Sequence, residues 1–290
     1  PWRAGSASHL SSSASFGRWQ STVRNSSGNQ EVIQTGRRPR EADCLEAVGS
    51  APAAAAAAGP GFSSSQHVEP RGRNAELPEP GLLGPALERL GAAVSLDASK
   101  QEAVEVRREP FFEGLEALAQ AMDGIGGGIG GHLASNVKKL RRSKASQAEE
   151  RYEAWLLSEL PVHAANGYKE YLDDSAFMAN LWIAWTLELF VEMFALLREG
   201  KEFKACVDAA YKQTLQKHHN LLQRAAFSAA AKRLPSRERV LQSLGAGGGR
   251  AAADRDLAEF VAVGRPLVRL CARLNGEASA RMQAARAARP

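Results

Sequence analysis

The sequence is poor in cysteine and has no clear strand pattern. Its 290 residues contain three cysteines, Cys44, Cys206 and Cys271, which are widely separated. This spacing excludes a disulfide framework and a C-x-x-C metal pair, and it suits a reducing compartment. No alternating run of apolar and polar residues is bounded by turn residues, so the sequence predicts an all-α fold.

Acidic residues are absent from the first thirty positions, where Arg3, Arg18 and Arg24 accompany nine serines. Residues 1–75 have low complexity, including six consecutive alanines at 53–58, and few large apolar side chains. Burial of so few apolar groups cannot offset the entropy of ordering, so we expect a disordered segment. Its Ser- and Arg-rich beginning also suits an organellar transit peptide. Because the first residue is Pro rather than Met, the sequence leaves open whether a segment precedes it.

From about residue 78 onward, apolar residues recur at helical spacing, and we place one folded domain at residues 105–285. The spacing predicts helices over 110–123, 129–142, 148–160, 176–199, 202–234 and 236–244, with a last helix over 254–285 interrupted near Gly264 and Pro266.

The segment 176–199 is long and apolar enough to suggest a membrane span. It contains Asn180, Glu188 and Glu192, however. Each carboxylate placed at the centre of a bilayer costs about 2.5–3.5 kcal/mol on insertion scales. We therefore predict that this segment is the central, mostly buried helix of a soluble domain.

The stretch "GIGGGIGGHLASNVKKLRR" at 124–142 contains a G-x-G-x-x-G pattern and a basic end. A dinucleotide site needs a strand before such glycines, but a helix is predicted there, so they favour an interhelical loop. The four cations of "KKLRR" are not interleaved with aromatic residues on which bases could stack, and no recognisable nucleic-acid-binding module surrounds them. They are more typical of a solvated helix end, and we expect no nucleic-acid partner.

His132, Asn136 and Lys139 follow one another at i, i+4 and i+7, so they lie on one face of the second predicted helix. The opposite face carries Leu133, Val137 and Leu140 and is expected to pack. By spacing alone, such a polar stripe is typical of solvent-facing surface.

Further along the chain, Trp182 and Trp185 are three residues apart on the apolar helix, a spacing typical of core residues. His218 and His219 differ by 100° around their helix and therefore do not share one metal ion.

Taken together, these residues make the region from Phe111 to about Leu244 resemble the glycolipid transfer protein family. "HLASNVKK" places three polar residues in the slots of the family's D-x-x-x-N-x-x-K headgroup motif, namely His132, Asn136 and Lys139. "LWIAWTLELF" places Trp182 at the family's stacking tryptophan, with Trp185 where an arginine is expected. "AYKQTLQKHHNLL" places His219 at the histidine that binds the ceramide amide.

The resemblance implies a two-layer helical sandwich that carries one sphingolipid between membranes without enzymatic chemistry, metal or cofactor. The headgroup would contact His132, Asn136, Lys139 and Trp182, and His219 would bind the amide. The acyl chains would lie in a sleeve lined by Leu187, Phe190, Phe194, Leu221 and Phe227. We expect a monomer that contacts membranes transiently, with Trp155 at the interface, in the cytoplasm unless an organelle imports it.

One departure from the family concerns His132, which replaces the aspartate of the motif. An imidazole accepts a single hydrogen bond and can be positively charged near neutrality, so with Lys139 it would favour an anionic headgroup. Members that bind ceramide 1-phosphate nevertheless carry Arg at the position of Trp182, so the sequence mixes two patterns and leaves the headgroup open. An alternative function is a lipid sensor or interaction protein with a degenerate site and little transfer activity.

Overall fold

The computed structural model describes residues 81–289 except for residues 98, 100, 101 and 127. The disorder and the transit peptide predicted for residues 1–75 therefore lie outside the described residues. In chain order the elements are α1 (Gly84–Ala93), β1 (Val94–Asp97), β2 (Glu102–Val106), α2 (Arg108–Ile125), α3 (Gly130–Arg142), α4 (Tyr152–Leu157), α5 (Ala176–Arg198), α6 (Phe203–Gln213), α7 (Leu221–Ala231), α8 (Arg237–Gly245) and α9 (Gly249–Ala287). Short 3-10 helices lie at Leu160–Asn166, Gln216–His218 and Ala246–Gly248. The predicted all-α class is confirmed.

Helix α5 lies at the centre of the helical layers, where α3, α6 and α9 all contact it. It is the one helix of the described part that is long and apolar enough to cross a membrane, and 61% of its most apolar stretch is buried inside the protein. The carboxyl-bearing Glu188 and Glu192 lie at its half-buried edge. Helix α5 is therefore the core helix that the sequence predicted, and its apolar composition is explained by helix packing.

Three side chains fix the start of α5: two accept hydrogen bonds from backbone amides of its first turn, and a third supports one of these acceptors. Ser175 accepts a hydrogen bond from the Met178 amide (3.1 Å), and the buried Glu159 carboxylate accepts from the Phe177 amide (3.1 Å). The Ser143 hydroxyl donates to Glu159 at 2.7 Å. Burial opposes ionisation of Glu159, but the nearby His163 (3.9 Å) and hydrogen bonds from the α5 N-terminus and the Ser143 hydroxyl lower its pKa. An anionic group at a helix N-terminus is stabilised by the helix dipole, so Glu159 holds α5 in a defined position.

The glycine-rich stretch joins two helices, α2 and α3, so the element directly before it is a helix rather than a strand. Gly126 and Gly128 have φ angles of +105° and +67°, which a residue with a side chain rarely adopts. At Gly130 an added Cβ would come within 2.0 Å of the Ala119 carbonyl oxygen, so only glycine lets α3 begin this close to α2. The predicted packing face of α3, consisting of Leu133, Val137 and Leu140, is fully buried.

Three predicted helix boundaries are wrong. The helix predicted over 148–160 is limited to α4, because a 3-10 helix begins at Leu160 with Pro161 in its first turn. The helix predicted over 202–234 is two helices, because Asn220 forms a capping box with Gln223 and starts α7 afresh. Helix α9 is not interrupted and continues through Pro266.

A short antiparallel hairpin, β1–β2, was not predicted. Its strands are only four and five residues long and pair Val94 with Val106. Strands this short give little alternation to detect. The hairpin follows α1, whose Leu87 and Leu90 are buried together with the preceding Leu83. The folded region therefore begins before residue 105, the predicted domain boundary.

Trp155 is also not where the sequence placed it. Its side chain is 1% exposed, stacks on Tyr152 (5.7 Å between ring centroids) and meets Phe112 edge-on at 5.2 Å. The prediction that Trp155 contacts membranes is therefore wrong, because its indole anchors α4 to α2.

We expect removal of residues 1–80 to leave the helical domain folded, whereas removal of residues 1–105 prevents folding. The longer deletion removes Leu83, Leu87 and Leu90, whose burial contributes about 5–9 kcal/mol together. That loss matches most of the stability of an ordinary domain, about 5–15 kcal/mol. Circular dichroism melting of both deletions checks this, and similar melting temperatures would contradict it.

Candidate functional site

Aromatic rings from three parts of the chain meet at one end of α5. Trp182 meets His132 of α3 edge-on (5.1 Å between centroids) and Trp185 at the same distance. On its other side, Trp182 lies 5.9 Å from His219, which follows α6. Of the residues predicted from the sequence, His132, Trp182 and His219 are thus in contact. We call these four rings the aromatic cluster.

Trp185 holds the connection between α6 and α7 in place. Its indole stacks face to face on His218, with 3.5 Å between centroids and 9° between planes. His219 then adopts an extended backbone conformation (φ −91°, ψ 133°) before Asn220 starts α7. This ring stack accompanies the break between α6 and α7 that the Asn220 cap produces, and His219 lies beside Trp182.

The other two residues of the polar stripe are engaged by protein groups. The Asn136 amide nitrogen donates to the His132 carbonyl oxygen at 3.0 Å and lies 3.3 Å from His132 Nε2. The ammonium group of Lys139 donates to the Asp173 carbonyl oxygen at 2.8 Å. Asn136 thus orients His132, while Lys139 links α3 to the segment before α5.

His132 is neutral at pH 7, contrary to the expectation of positive charge. Its burial is the largest cause that lowers its pKa to about 4, and His219 and Lys139 lower it further. His218 behaves in the same way: burial first, then Lys217 and His219, lower its pKa to about 4. Because an Asn Nδ2 only donates, it leaves His132 Nε2 as acceptor and places the ring proton on Nδ1.

His219 is paired with Tyr211, one residue that the sequence did not identify as part of the site. The Tyr211 hydroxyl lies 2.9 Å from His219 Nδ1. Burial raises the pKa of Tyr211, so the phenol keeps its proton, and burial followed by Arg224 lowers the pKa of His219. Imidazole nitrogen is the stronger base of the two, so Tyr211 donates and the His219 proton lies on Nε2.

The predicted sleeve residues lie in different environments. Leu187, Phe190 and Phe194 are fully buried in α5, and Phe194 meets Phe260 of α9 edge-on at 5.1 Å. Phe227 is half-buried and stacks on Tyr211, with 3.6 Å between the ring centroids. Leu221 is 82% exposed, so its placement in an interior sleeve is wrong. The reason is local: α7 buries only Gln223 and Ala231, and Leu221 opens its first turn.

Two of the four cations in the basic run at 138–142, Lys139 and Arg141, are hydrogen-bonded within the fold. The Arg141 guanidinium bonds Glu116 and Glu109, and these hydrogen bonds, first that with Glu116, raise its pKa. Leu140 is buried. Within the described residues, no group of three or more His, Cys, Asp or Glu side chains is arranged to hold a metal ion.

Comparison with protein families identifies the domain that contains these residues. Residues 106–246 match the family model described as glycolipid transfer protein. The chain carries a glycolipid transfer protein domain. The match spans the aromatic cluster and the polar stripe, and it ends near the start of α9. No curated protein sequence matches the chain.

Solved structures share the glycolipid transfer protein fold at low sequence identity. The fungal glycolipid transfer protein HET-C2 is 20% identical with a TM-score of 0.52, covering 67% of this chain and 92% of its own. FAPP2, described as selecting simple glycosphingolipids through this fold, is 18% identical with a TM-score of 0.55. The match covers 69% of this chain and 96% of the FAPP2 chain. Human ceramide-1-phosphate transfer protein, bound to 12:0 ceramide-1-phosphate, is 18% identical with a TM-score of 0.53, covering 66% and 94%. This likeness establishes the two-layer helical sandwich.

We predict that Tyr211→Phe disturbs the protonation of His219 within an intact glycolipid transfer protein fold. In the parent, ¹⁵N NMR of the imidazole is expected to show the Nε2–H tautomer of His219. Without the phenol donor the two tautomers mix, and both ring nitrogen shifts move. The His132 resonances serve as the internal control, and a parent His219 with its proton on Nδ1 would contradict the assignment.

Proposed function

We propose that this protein binds a sphingolipid and transfers it between membranes without a chemical reaction. The observation that carries the proposal is the convergence of His132, Trp182 and His219 in one cluster beside Lys139. The glycolipid transfer protein family consists of lipid transfer proteins rather than enzymes. Proteins with the same fold are described as binding ceramide-1-phosphate or selecting simple glycosphingolipids.

Two members of the aromatic cluster, Trp182 and His219, have distinct roles in the proposed complex. Trp182 offers an indole face, which packs well against the apolar face of a sugar ring. His219, with its proton on Nε2, donates to the carbonyl oxygen of the ceramide amide. Tyr211 fixes that tautomer and is therefore a positioning residue.

The acyl chains would enter between α5 and its neighbours. Hiding a chain from water contributes about 0.8 kcal/mol per CH₂, so even a partly enclosed chain gives substantial affinity. Leu187, Phe190 and Phe194 supply fully buried apolar surface on α5. Phe227, half-buried on Tyr211, lies next to His219 and would be the first apolar side chain beyond the amide.

The electrostatics favour a neutral headgroup over a phosphate. Both His132 and His218 have pKa values lowered to about 4, so neither contributes positive charge at neutral pH. The Lys139 ammonium already donates to a backbone carbonyl. A phosphate needs several charge-assisted donors, whereas a sugar is satisfied by neutral hydrogen bonds and ring stacking. We therefore propose a neutral glycosylceramide as the preferred lipid.

The hydrogen bonds that Asn136 and Lys139 already make within the protein also support a second candidate function. Because Asn136 bonds its own helix and Lys139 bonds Asp173, headgroup binding must displace hydrogen bonds that the protein already makes. A protein with these costs would bind lipid weakly and act as a sensor or interaction module. Binding and transfer assays with glucosylceramide and ceramide 1-phosphate distinguish the two functions, since a carrier binds and transfers the lipid, whereas a sensor binds it weakly and transfers little.

We expect Trp182→Ala and His219→Ala each to reduce lipid uptake at least tenfold while helix content is retained. Loss of one hydrogen bond costs about 0.5–1.5 kcal/mol, and a stranded buried partner costs more. Loss of the indole also removes ring contacts with three neighbours. Vesicle transfer with labelled glucosylceramide measures the effect, and Val104→Ala on the hairpin is the control. Parent-like transfer by both variants would place the site elsewhere.

We predict that His132→Asp strengthens the binding of neutral glycosylceramides. A carboxylate accepts hydrogen bonds from two hydroxyl groups, and charged hydrogen bonds contribute about 1.5–3 kcal/mol. It would also offset the charge of Lys139, which acts on this position electrostatically. Binding of galactosylceramide and of an anionic analogue is compared for the parent, His132→Asp and the uncharged His132→Asn. No gain for the neutral lipid and no loss for the anionic one would exclude His132 from the headgroup site.

A further inference from the structure

The segment before α5 holds the ammonium group of Lys139. The Asp173 carbonyl oxygen accepts a hydrogen bond from Lys139 Nζ at 2.8 Å. A turn closes directly after it, because the Ser175 amide donates to the Leu172 carbonyl oxygen at 2.9 Å. Ser175 is also the N-cap residue of α5. The C-terminal side of the Asp173 carbonyl is therefore fixed to the central helix of the fold.

On its N-terminal side, the same segment is fixed to α9 by Tyr171. The Tyr171 hydroxyl donates to the Asn275 carbonyl oxygen at 3.0 Å and lies 2.8 Å from Ser279 Oγ. A phenol has a single proton, so Ser279 donates and Tyr171 accepts in the second bond. The Tyr171 ring meets Phe177 edge-on, with 5.3 Å between the centroids. The Asn275 side chain accepts a hydrogen bond from the buried Asn180 of α5 at 2.7 Å, so this anchor is tied to the core.

The backbone just before Tyr171 has a conformation that outside contacts maintain. Tyr168 has a φ angle of +58°, which is uncommon for a residue with a side chain. Arg289, two residues beyond the end of α9, lies over the Tyr168 ring at 5.8 Å from its centroid. A Cβ added at Gly167 would come within 2.7 Å of Arg289 Nη1. Strained backbone persists where its surroundings determine it, so the end of α9 stabilises this part of the segment as well.

The Asp173 carbonyl competes with a lipid headgroup for the Lys139 ammonium. Lys139 lies on the face of α3 that carries His132, and its charge acts on that ring. A phosphate oxygen accepts a charge-assisted hydrogen bond, which is stronger than one to a neutral carbonyl. The ammonium reaches such a group only by leaving Asp173. The firmness of the segment therefore sets how much an anionic headgroup gains from Lys139.

We propose that Tyr171 determines headgroup selectivity, because its hydrogen bonds to α9 hold the Asp173 carbonyl in place as a competitor for the Lys139 ammonium. With the segment anchored, Lys139 contributes little to an anionic headgroup, and neutral glycosylceramides are favoured. With the segment released, the ammonium donates to a phosphate. Tyr171 acts through Asp173 and Lys139 and is therefore a positioning residue. In naming the lipids, the inference rests on the proposed function, whereas the restraint of Lys139 does not.

The restraint of Lys139 is tested in the full chain without lipid. N-hydroxysuccinimide acetate acetylates lysine amines, and mass spectrometry gives the rate at each lysine. Tyr171→Phe keeps the ring and removes the hydroxyl, so acetylation of Lys139 should become about threefold faster or more, since one net hydrogen bond shifts an equilibrium roughly two- to tenfold. Ser279→Ala removes one of the two hydrogen bonds and should give a smaller increase. Lys138, the exposed neighbour on α3, is the internal control and should react at the parent rate.

Equilibrium binding of ceramide 1-phosphate and of glucosylceramide measures the selectivity. Tyr171→Phe should raise the ratio of the two affinities about tenfold in favour of the anionic lipid, the lower end of what one charge-assisted hydrogen bond contributes. The increase should disappear when Tyr171→Phe is combined with Lys139→Gln, because no ammonium is left to release. A general loosening of the domain would lower both affinities and leave their ratio unchanged. Tyr152→Phe is the matched control: it takes a phenol hydroxyl that bonds Asn180 at 2.8 Å in the core, and it should keep the parent ratio.

Parent-like acetylation of Lys139 in both Tyr171→Phe and Ser279→Ala overturns the inference, since the hydroxyl then restrains nothing. An unchanged affinity ratio, or an increase that survives Lys139→Gln, overturns it as well. Faster acetylation in a chain that binds neither lipid supports the restraint of Lys139 and removes the proposed function instead.

Discussion

Burial of α5 on nearly all of its faces is the constraint on which the rest of the structure depends. A helix this apolar must be covered, and α3, α6 and α9 cover it. At Gly264 an added Cβ would come within 2.6 Å of a Val191 methyl group, which shows how closely α9 approaches. Asn180, buried within this contact, bonds the Cys271 carbonyl and Asn275, so the polar groups between α5 and α9 are satisfied.

The site is a consequence of this packing. Trp182 and Trp185 occupy the half-buried edge of α5, where complete coverage ends. Rings from α3 and from the α6–α7 connection close over that edge, which dehydrates three imidazoles and lowers their pKa values. Neutral imidazoles have defined tautomers, and the structure sets them in opposite ways: His132 accepts at Nε2, whereas His219 donates there. Burial thus turns two histidines into one acceptor and one donor.

Much of this was predictable from the sequence because it depends on local periodicity. The buried face of α3, the extent of α5 and the glycine turn before His132 all follow from residue spacing and residue type. The neutral state of His132 could not be predicted in this way, because burial lowers its pKa and burial depends on tertiary packing. The end of α6 was missed, although the capping residues Asn220 and Gln223 are visible in the sequence. The stack of Trp185 on His218 that accompanies this end is a contact between distant parts of the chain, which residue spacing does not show. The prediction that Trp155 lies at a membrane interface was wrong because no spacing rule distinguishes a core tryptophan from an interfacial one.

Helix α7 is the element that packing explains least. Only Gln223 and Ala231 are buried in it, and Phe227 is its main apolar contact with α6. Stability alone would favour leucines at its buried positions and mixed charges outside, as in an ordinary amphipathic helix. Instead the leucines face water, and like charges accumulate around them without acidic partners. Sequence features that oppose local stability are expected at functional sites, because there a second requirement outweighs the fold. The same segment supplies His219 to the aromatic cluster, so under the proposed function the requirement that shaped α7 is tied to lipid binding at the cluster.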